Sequence, residues 1–249
     1  MINVGSATNS HPARTLVMGV VNVTPNSFSD GGMWADPEVA IRHARDLVVE
    51  GADIIDVGGE STRPGTERTP EHEELRRVLP VVKALVADGV AVSVDTMRAS
   101  VAKAVVEAGA TIVNDVSGGK AEPEILDVVA DAGVDYVLMH WRGQSATMQN
   151  LVDYDDVVAD VISETSQQVD AAIAAGIDRR RIIVDPGIGF SKTSPILRWP
   201  SATLATSLSK ELTSSTSVVN RPVRAPNAPP STKNCAASCP SSKLWWPTG

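Results

Sequence analysis

Six short apolar runs, each closing on a polar residue and each followed by enough chain for a helix, constrain this sequence more than any other feature. The runs are TLVMGVVN (15–22), DIIDV (53–57), AVSVD (91–95), TIVND (111–115), DYVLMH (135–140) and RIIVD (181–185). They are rich in β-branched residues and nearly continuous in apolar character, the pattern of strands buried on both faces. The intervening stretches carry helix punctuation. Asp36-Pro37 supplies an N-cap followed by proline at the first helical position, and Gly51 closes that helix. Thr69-Pro70 repeats the start signal, and the stretch from Asp155 to Ala175 reads as a helix ended by Gly176. Strand–helix alternation of this kind requires parallel strands, in either a (β/α) barrel or an open doubly wound sheet. The strand endings decide between them. Asn22, Asp56, Asp95, Asn114 with Asp115, His140 and Asp185 end the runs, and loops rich in Gly, Ser and Thr follow. A barrel gathers all such ends on one face, whereas a doubly wound sheet concentrates ligand groups at one switch point. Polar endings on all six strands favour the barrel.

At 249 residues the chain can build one large core. Its net charge of -8 gives no general case for nucleic-acid or membrane partners. No run approaches the roughly 20 apolar residues of a membrane span. Residues 1–14, a polar N-terminal arm, lack the layout of a signal peptide, so a cytoplasmic location is expected. Both cysteines, Cys235 and Cys239, fall within the last fifteen residues, too late to staple the body and without nearby ligands for zinc.

The chain divides after Thr193. Residues 1–193 hold 17 of the 18 glycines and 29 of the 30 acidic residues, while residues 194–249 hold 25 Ser, Thr or Pro in 56 positions. The charge changes from -13 before the boundary to +5 after it. Residues 15–193 read as six βα units of a barrel, and residues 194–249 as a low-complexity tail. The break falls inside a βα unit. A change of reading frame near codon 193 accounts for it. A natural disordered tail on a shortened barrel is the alternative, since sequence of this composition buries too little surface to fold.

The loops define candidate chemistry. NVTPNSFSDGG (22–32) offers an amide, hydroxyls and flexible glycines, though a solvated turn has the same composition. GGESTRPG (58–65) sets hydroxyls at Ser61 and Thr62 beside Arg63, whose planar fork suits phosphate oxygens. It lacks a Walker or dinucleotide glycine pattern. Asp95, Asn114 and Asp185 form a second constellation, because a carboxylate at an apolar barrel mouth must meet a cation or an N–H donor. Structural ion pairs are the plain alternative for each, and that is the reading for Asp115. Met139 is by type a core residue that could instead cover a flat ring. His140 and Trp141 stand between packing and site lining.

MGVVNVTPNSFSDGG, DIIDVGGESTRPG, SVDTMR, IVNDVSGG, YVLMHWRG and VDPGIGFSKT resemble, in order and spacing, the motifs of the dihydropteroate synthases, and MHWRG is most similar to actinobacterial members. The resemblance spans residues 15–193 and implies an eight-stranded TIM-barrel (β/α) fold. It implies a transferase of folate biosynthesis that joins p-aminobenzoate to (7,8-dihydropterin-6-yl)methyl diphosphate, a target of sulfonamides. By that resemblance Asn22 contacts Mg²⁺ accompanying the diphosphate. Thr62 and Arg63 act near diphosphate and p-aminobenzoate. Asp95, Asn114, Met139 and Asp185 form the pterin site, and Phe190 flanks p-aminobenzoate. The family tends to form homodimers. Its later motifs, Ser-Arg-Lys on strand seven and Arg-x-His on strand eight, are not found after Thr193; STSVV (215–219) is the only strand-like stretch there. Six strands do not close an eight-stranded barrel. The expectations are therefore uncovered edges at the first and sixth strands, poor solubility or reliance on a partner, and little turnover. A non-catalytic remnant that binds pterin weakly is the second reading. A methyltetrahydrofolate methyltransferase barrel is the third, and the GGESTRPG loop speaks against it.

Overall fold

A computed structural model describes residues 15–24, 36–61, 68–144, 151 and 153–187. It contains six parallel strands: β1 (Met18–Asn22), β2 (Ile54–Gly58), β3 (Ala91–Asp95), β4 (Ile112–Asp115), β5 (Asp135–Met139) and β6 (Ile182–Asp185). Between them run α1 (Pro37–Glu50), α2 (Glu71–Ala87), α3 (Ala99–Glu107), α4 (Glu124–Ala132) and α5 (Val157–Ala174), with a 3-10 turn at Arg179–Arg181 leading into β6. The strands lie side by side in sequence order, β1-β2-β3-β4-β5-β6, every pair parallel. Sequential order means the chain winds one way only. A doubly wound sheet reverses at a switch point, and this one does not. The sheet is that of a TIM-type barrel.

The caps behave largely as the residues predict. The Asp36 side chain accepts from Glu38 N–H, Pro37 opens α1, and Gly51 closes it at φ 111°. Asp156 caps α5 by accepting from Val158 and Ala159 N–H. The second start signal works differently. Pro70 is itself the N-cap of α2 and makes no side-chain cap, while the Thr69 carbonyl accepts from Arg98.

Alternation along each strand separates two environments. One face packs under the helices. Val21, Val57, Val92 and Val94 meet Ala40, Ile41 and Ala44 of α1 and Val78, Val81, Val82 and Leu85 of α2. Val113, Tyr136, Leu138 and Ile182 meet Ile125, Leu126 and Val129 of α4 and Val169 and Ala172 of α5. The other face holds a smaller cluster of Ile54, Ala91 and Ile112 with Leu16 and Val137, the lower layer of the barrel interior. Burial on both faces holds for β2, in which all five residues are buried. It does not hold for β1, where Met18 and Val20 are 37% and 53% exposed. Among the described residues β1 pairs on one side only, with β2. Among those residues, too, no helix is long and apolar enough to cross a membrane.

Candidate active site

Register aligns the polar strand endings. Asn22 pairs with Gly58, Gly58 with Asp95, and Asp95 with Asn114, so one row across β1–β4 carries two amides and a carboxylate. The row continues through Val137 and Ile183, and Met139 and Asp185 pair one pleat further along β5 and β6. Equivalent positions in adjacent parallel strands point the same way, so Asn22, Asp95, Asn114, Met139 and Asp185 share the interior face. The stagger toward β6 is what tilted barrel strands produce. Gly58 keeps the row open. A Cβ built there would lie 3.2 Å from Asn22 Oδ1 and 3.7 Å from Asp95 Oδ2.

Asp95 makes no side-chain hydrogen bond or ion pair among the described residues. Burial pushes its carboxyl well above the usual range, and Asp56, Glu74, Asp115 and Glu60 push it further. A carboxylate in that state calls for N–H donors or a cation from a ligand. Asp185 Oδ1 accepts from Gly187 N–H at 2.8 Å, which fixes the carboxyl at the strand end. Asn114 Nδ2 donates to Asp56 Oδ2 at 3.0 Å. Met139 is 2% exposed and packs with Met97 and Val116, the residues that follow β3 and β4. It is therefore both a core residue and part of the apolar lid beside Asp185.

Asp115 faces the helices and is structural, as its neighbours require. It accepts from Ser117 N–H at 2.8 Å, Ser117 Oγ at 2.7 Å, Gly119 N–H at 2.7 Å and Tyr136 Oη at 2.8 Å. His140 also faces outward, with Nε2 2.9 Å from Glu164 Oε2. Glu164 in turn pairs with Arg142 at 2.6 Å, and the guanidinium lies 3.6 Å over the Tyr154 ring. Trp141, Lys120 and Arg142 line a cavity of about 380 Å³ on the flank of this cluster. Thr62, Arg63 and Phe190 lie outside the described residues.

Three contributors escaped the sequence reading of the site. Asp56, visible in the sequence only as a strand ending, and Ser93 sit one pleat below the polar row; a lone serine inside AVSVD is the signal for Ser93. Gln168 of α5 carries no motif. Its buried Nε2 donates to the Ser117 and Met139 carbonyls at 3.1 and 3.2 Å, locking the turn after β4 to the end of β5. Gly118 lets it in. At φ +58° a Cβ there would collide with Gln168 Nε2 and lie 2.9 Å from the Met139 carbonyl oxygen. Gly118→Ala should therefore cost about 1–3 kcal/mol, from left-handed strain plus a displaced buried amide. Urea denaturation checks it, and a loss below about 0.5 kcal/mol would remove Gln168 from this role.

A singly wound parallel barrel with carboxylates and amides gathered at its strand ends is the arrangement in which barrel proteins of this type place their sites. The Pterin binding enzyme family matches residues 18–195, and the chain belongs to that family. The expected resemblance to dihydropteroate synthases is borne out. The chain is 55% identical over 182 residues to the dihydropteroate synthase of Mycobacterium leprae, covering 73% of this chain and 64% of that one. Against the Bacillus subtilis dihydropteroate synthase it is 47% identical over 185 residues, 74% of this chain and 62% of the relative. A crystal structure of the Yersinia pestis dihydropteroate synthase with a sulfonamide drug superposes with a TM-score of 0.72 at 40% identity, covering 80% of this chain and 71% of that one. The Xanthomonas albilineans dihydropteroate synthase with 4-aminobenzoic acid gives a TM-score of 0.66 at 45% identity, covering 81% and 67%. The chain thus spans just under two thirds of the length of the curated relatives.

Proposed function

We propose that this chain carries the pterin site of a dihydropteroate synthase and supports transfer of the pterin methylene to p-aminobenzoate. The observation that carries the reading is the half-buried Asp95 carboxylate, without a side-chain partner among the described residues, in one row with Asn114 and with Asp185 one pleat away. A pterin's guanidine-like edge offers adjacent N–H groups, and carboxylates accept such pairs in a strong, directional geometry. Met139 supplies an apolar surface for the flat ring.

In the reaction, the amine nitrogen of p-aminobenzoate forms a bond to the pterin's exocyclic methylene carbon. The bond from that carbon to the diphosphate oxygen breaks and its electron pair leaves with diphosphate. The amine then gives up one proton. Little base strength is needed, so orienting the two partners and stabilising the leaving anion supply most of the acceleration. Carboxylates around the pterin would also favour the positive charge that builds on the methylene as diphosphate departs. Thr62 and Arg63 are assigned to the diphosphate and p-aminobenzoate, and Phe190 to the p-aminobenzoate ring, where sulfonamides would compete. Mg²⁺ bound with the diphosphate would supply further neutralisation of the leaving group. The donor set suits it: Asn22 offers one amide oxygen beside the gap at Gly58. The described residues contain no cluster of three or more His, Cys, Asp or Glu ligands. Magnesium keeps most of its waters and accepts so sparse a protein contribution.

The second reading is pterin binding without transfer. The test incubates the full chain with (7,8-dihydropterin-6-yl)methyl diphosphate, p-aminobenzoate and Mg²⁺ and measures dihydropteroate and diphosphate in equal amounts. Stoichiometric release of both supports transfer. Binding of the pterin without either product would leave the second reading, and absence of binding would overturn both.

A further inference from the structure

We infer that Asp56 is a positioning residue of the pterin site: it captures the donor end of the Asn114 amide and turns the acceptor end, Oδ1, toward the ligand. The inference rests on the pterin-site reading above. Asp56 lies in mid-strand on β2 and is only 4% exposed. Its Oδ2 accepts from Asn114 Nδ2 at 3.0 Å, and its buried Oδ1 has no hydrogen-bond partner among the described residues. A carboxylate so placed lowers stability rather than raising it, because desolvation outweighs the bonds it keeps. Burial indeed raises its pKa, against the opposing hydrogen bond from Asn114. A group that costs stability and holds a site residue is explained by what it does to that residue.

The geometry is specific. Asp56 and Asn114 belong to β2 and β4, so their bond passes over β3 at Ser93. Interior layers of such barrels are filled by side chains from alternate strands, and this pair occupies one layer. An asparagine amide has two ends of opposite character that interchange on a 180° flip. Asn114 makes no other side-chain hydrogen bond among the described residues, so among them Asp56 is the group that sets the flip. With Nδ2 held, Oδ1 joins the Asp95 carboxylate as a second acceptor. Together they select a heterocycle whose edge presents N–H donors. Flipped, the amide would set N–H against N–H and reject the same edge.

Two variants separate positioning from packing. Fluorescence titration with 6-hydroxymethylpterin should show Asp56→Ala binding about tenfold more weakly than the parent, with a melting temperature no lower. Asp56→Asn retains a carbonyl acceptor for Nδ2 and should stay within about threefold of the parent. Parent-like affinity in Asp56→Ala would overturn the inference, as would equal weakening of both variants with a fall in melting temperature. NMR of the Asn114 side-chain amide gives a second readout that needs no ligand. Its N–H groups should be protected from exchange in the parent and in Asp56→Asn, and unprotected in Asp56→Ala. Failure of 6-hydroxymethylpterin to bind the parent would defeat the pterin reading. The amide protection would then decide the positioning role alone, and equal exchange in all three proteins would overturn it.

Discussion

Asp95→Asn should lower the affinity for 6-hydroxymethylpterin by about 10- to 100-fold and should not lower the melting temperature near neutral pH. The first number follows from the worth of a hydrogen bond to a charged group, roughly 1.5–3 kcal/mol, at about 1.4 kcal/mol per decade. The second follows from the sign of the pKa shift. Burial, reinforced by Asp56, Glu74, Asp115 and Glu60, raises the Asp95 pKa well above 3.8 in the folded chain. A raised pKa means that the folded state favours the protonated form. Stability from this group is fully present below the unfolded value and is lost as pH climbs through the folded one. The asparagine variant has no such loss. The two proteins should melt alike at the acid end, and the parent should fall behind as pH rises above about 4. Equal affinity in the variant would sink the assignment of Asp95 to the ligand. A lower melting temperature for the variant across the whole range would show that the carboxylate has a structural partner.

The strands were legible because each is a short apolar run with a polar end, and local chemistry sufficed to place them to within a few residues. Their order was legible for the same reason, since six polar endings make sense only on a singly wound sheet. The helices α3 and α4 were harder. Neither has a side-chain cap: Arg98 and Pro123 stand at their N-caps without bonding the first turn. The first turn of α3 is served from a distance, by Glu122 Oε2 accepting from Ala99 N–H at 3.0 Å. Pro80 would end a helix by local rules. Yet α2 runs through it from Glu71 to Ala87, because Val78, Val81, Val82 and Leu85 around it are completely buried. At the site, the strand-end residues Asn22, Asp95, Asn114 and Asp185 announced themselves by position. Asp56 stood in plain view as a strand ending but gained its role only through register, which brings it within reach of a residue 58 positions later. Gln168 left no trace, because its two bonds go to backbone carbonyls that any sequence would supply.

Arg98→Met should destabilise the chain by about 3–5 kcal/mol, the cost of leaving buried carboxylates without their cation. Arg98 follows β3 and reaches three acidic side chains: Glu60 in the loop after β2, Glu74 in the first turn of α2 and Glu122 in the loop before α4. Nε lies 2.9 Å from Glu74 Oε2, Nη2 3.5 Å from Glu60 Oε2 and Nη1 3.8 Å from Glu122 Oε1. Glu74 is 1% exposed, and its other oxygen accepts from Thr96 Oγ1 at 2.6 Å. Glu60 also meets Arg68 at 3.1 Å, so it would not be wholly stranded; Glu74 has no second cation among the described residues. A shift of the melting temperature by roughly 10 °C corresponds to that loss in a chain of this size. Arg98→Lys should fall between the two, since one ammonium cannot face three carboxylates as a planar fork does. The defect should also depend on pH with a known sign. Desolvation raises the Glu74 pKa above 4.5 despite the bonds from Thr96 and Arg98. Its ionisation therefore costs the folded state more as pH rises, and Arg98 offsets part of that cost. Without Arg98 the penalty should grow above about pH 4.5 and shrink below it. Adding Glu74→Gln should restore much of the lost stability, because an amide can still accept from Thr96 and carries no charge to strand. If Arg98→Met melts within about 2 °C of the parent, or if Glu74→Gln fails to rescue it, these segments are held by packing rather than by this ion cluster.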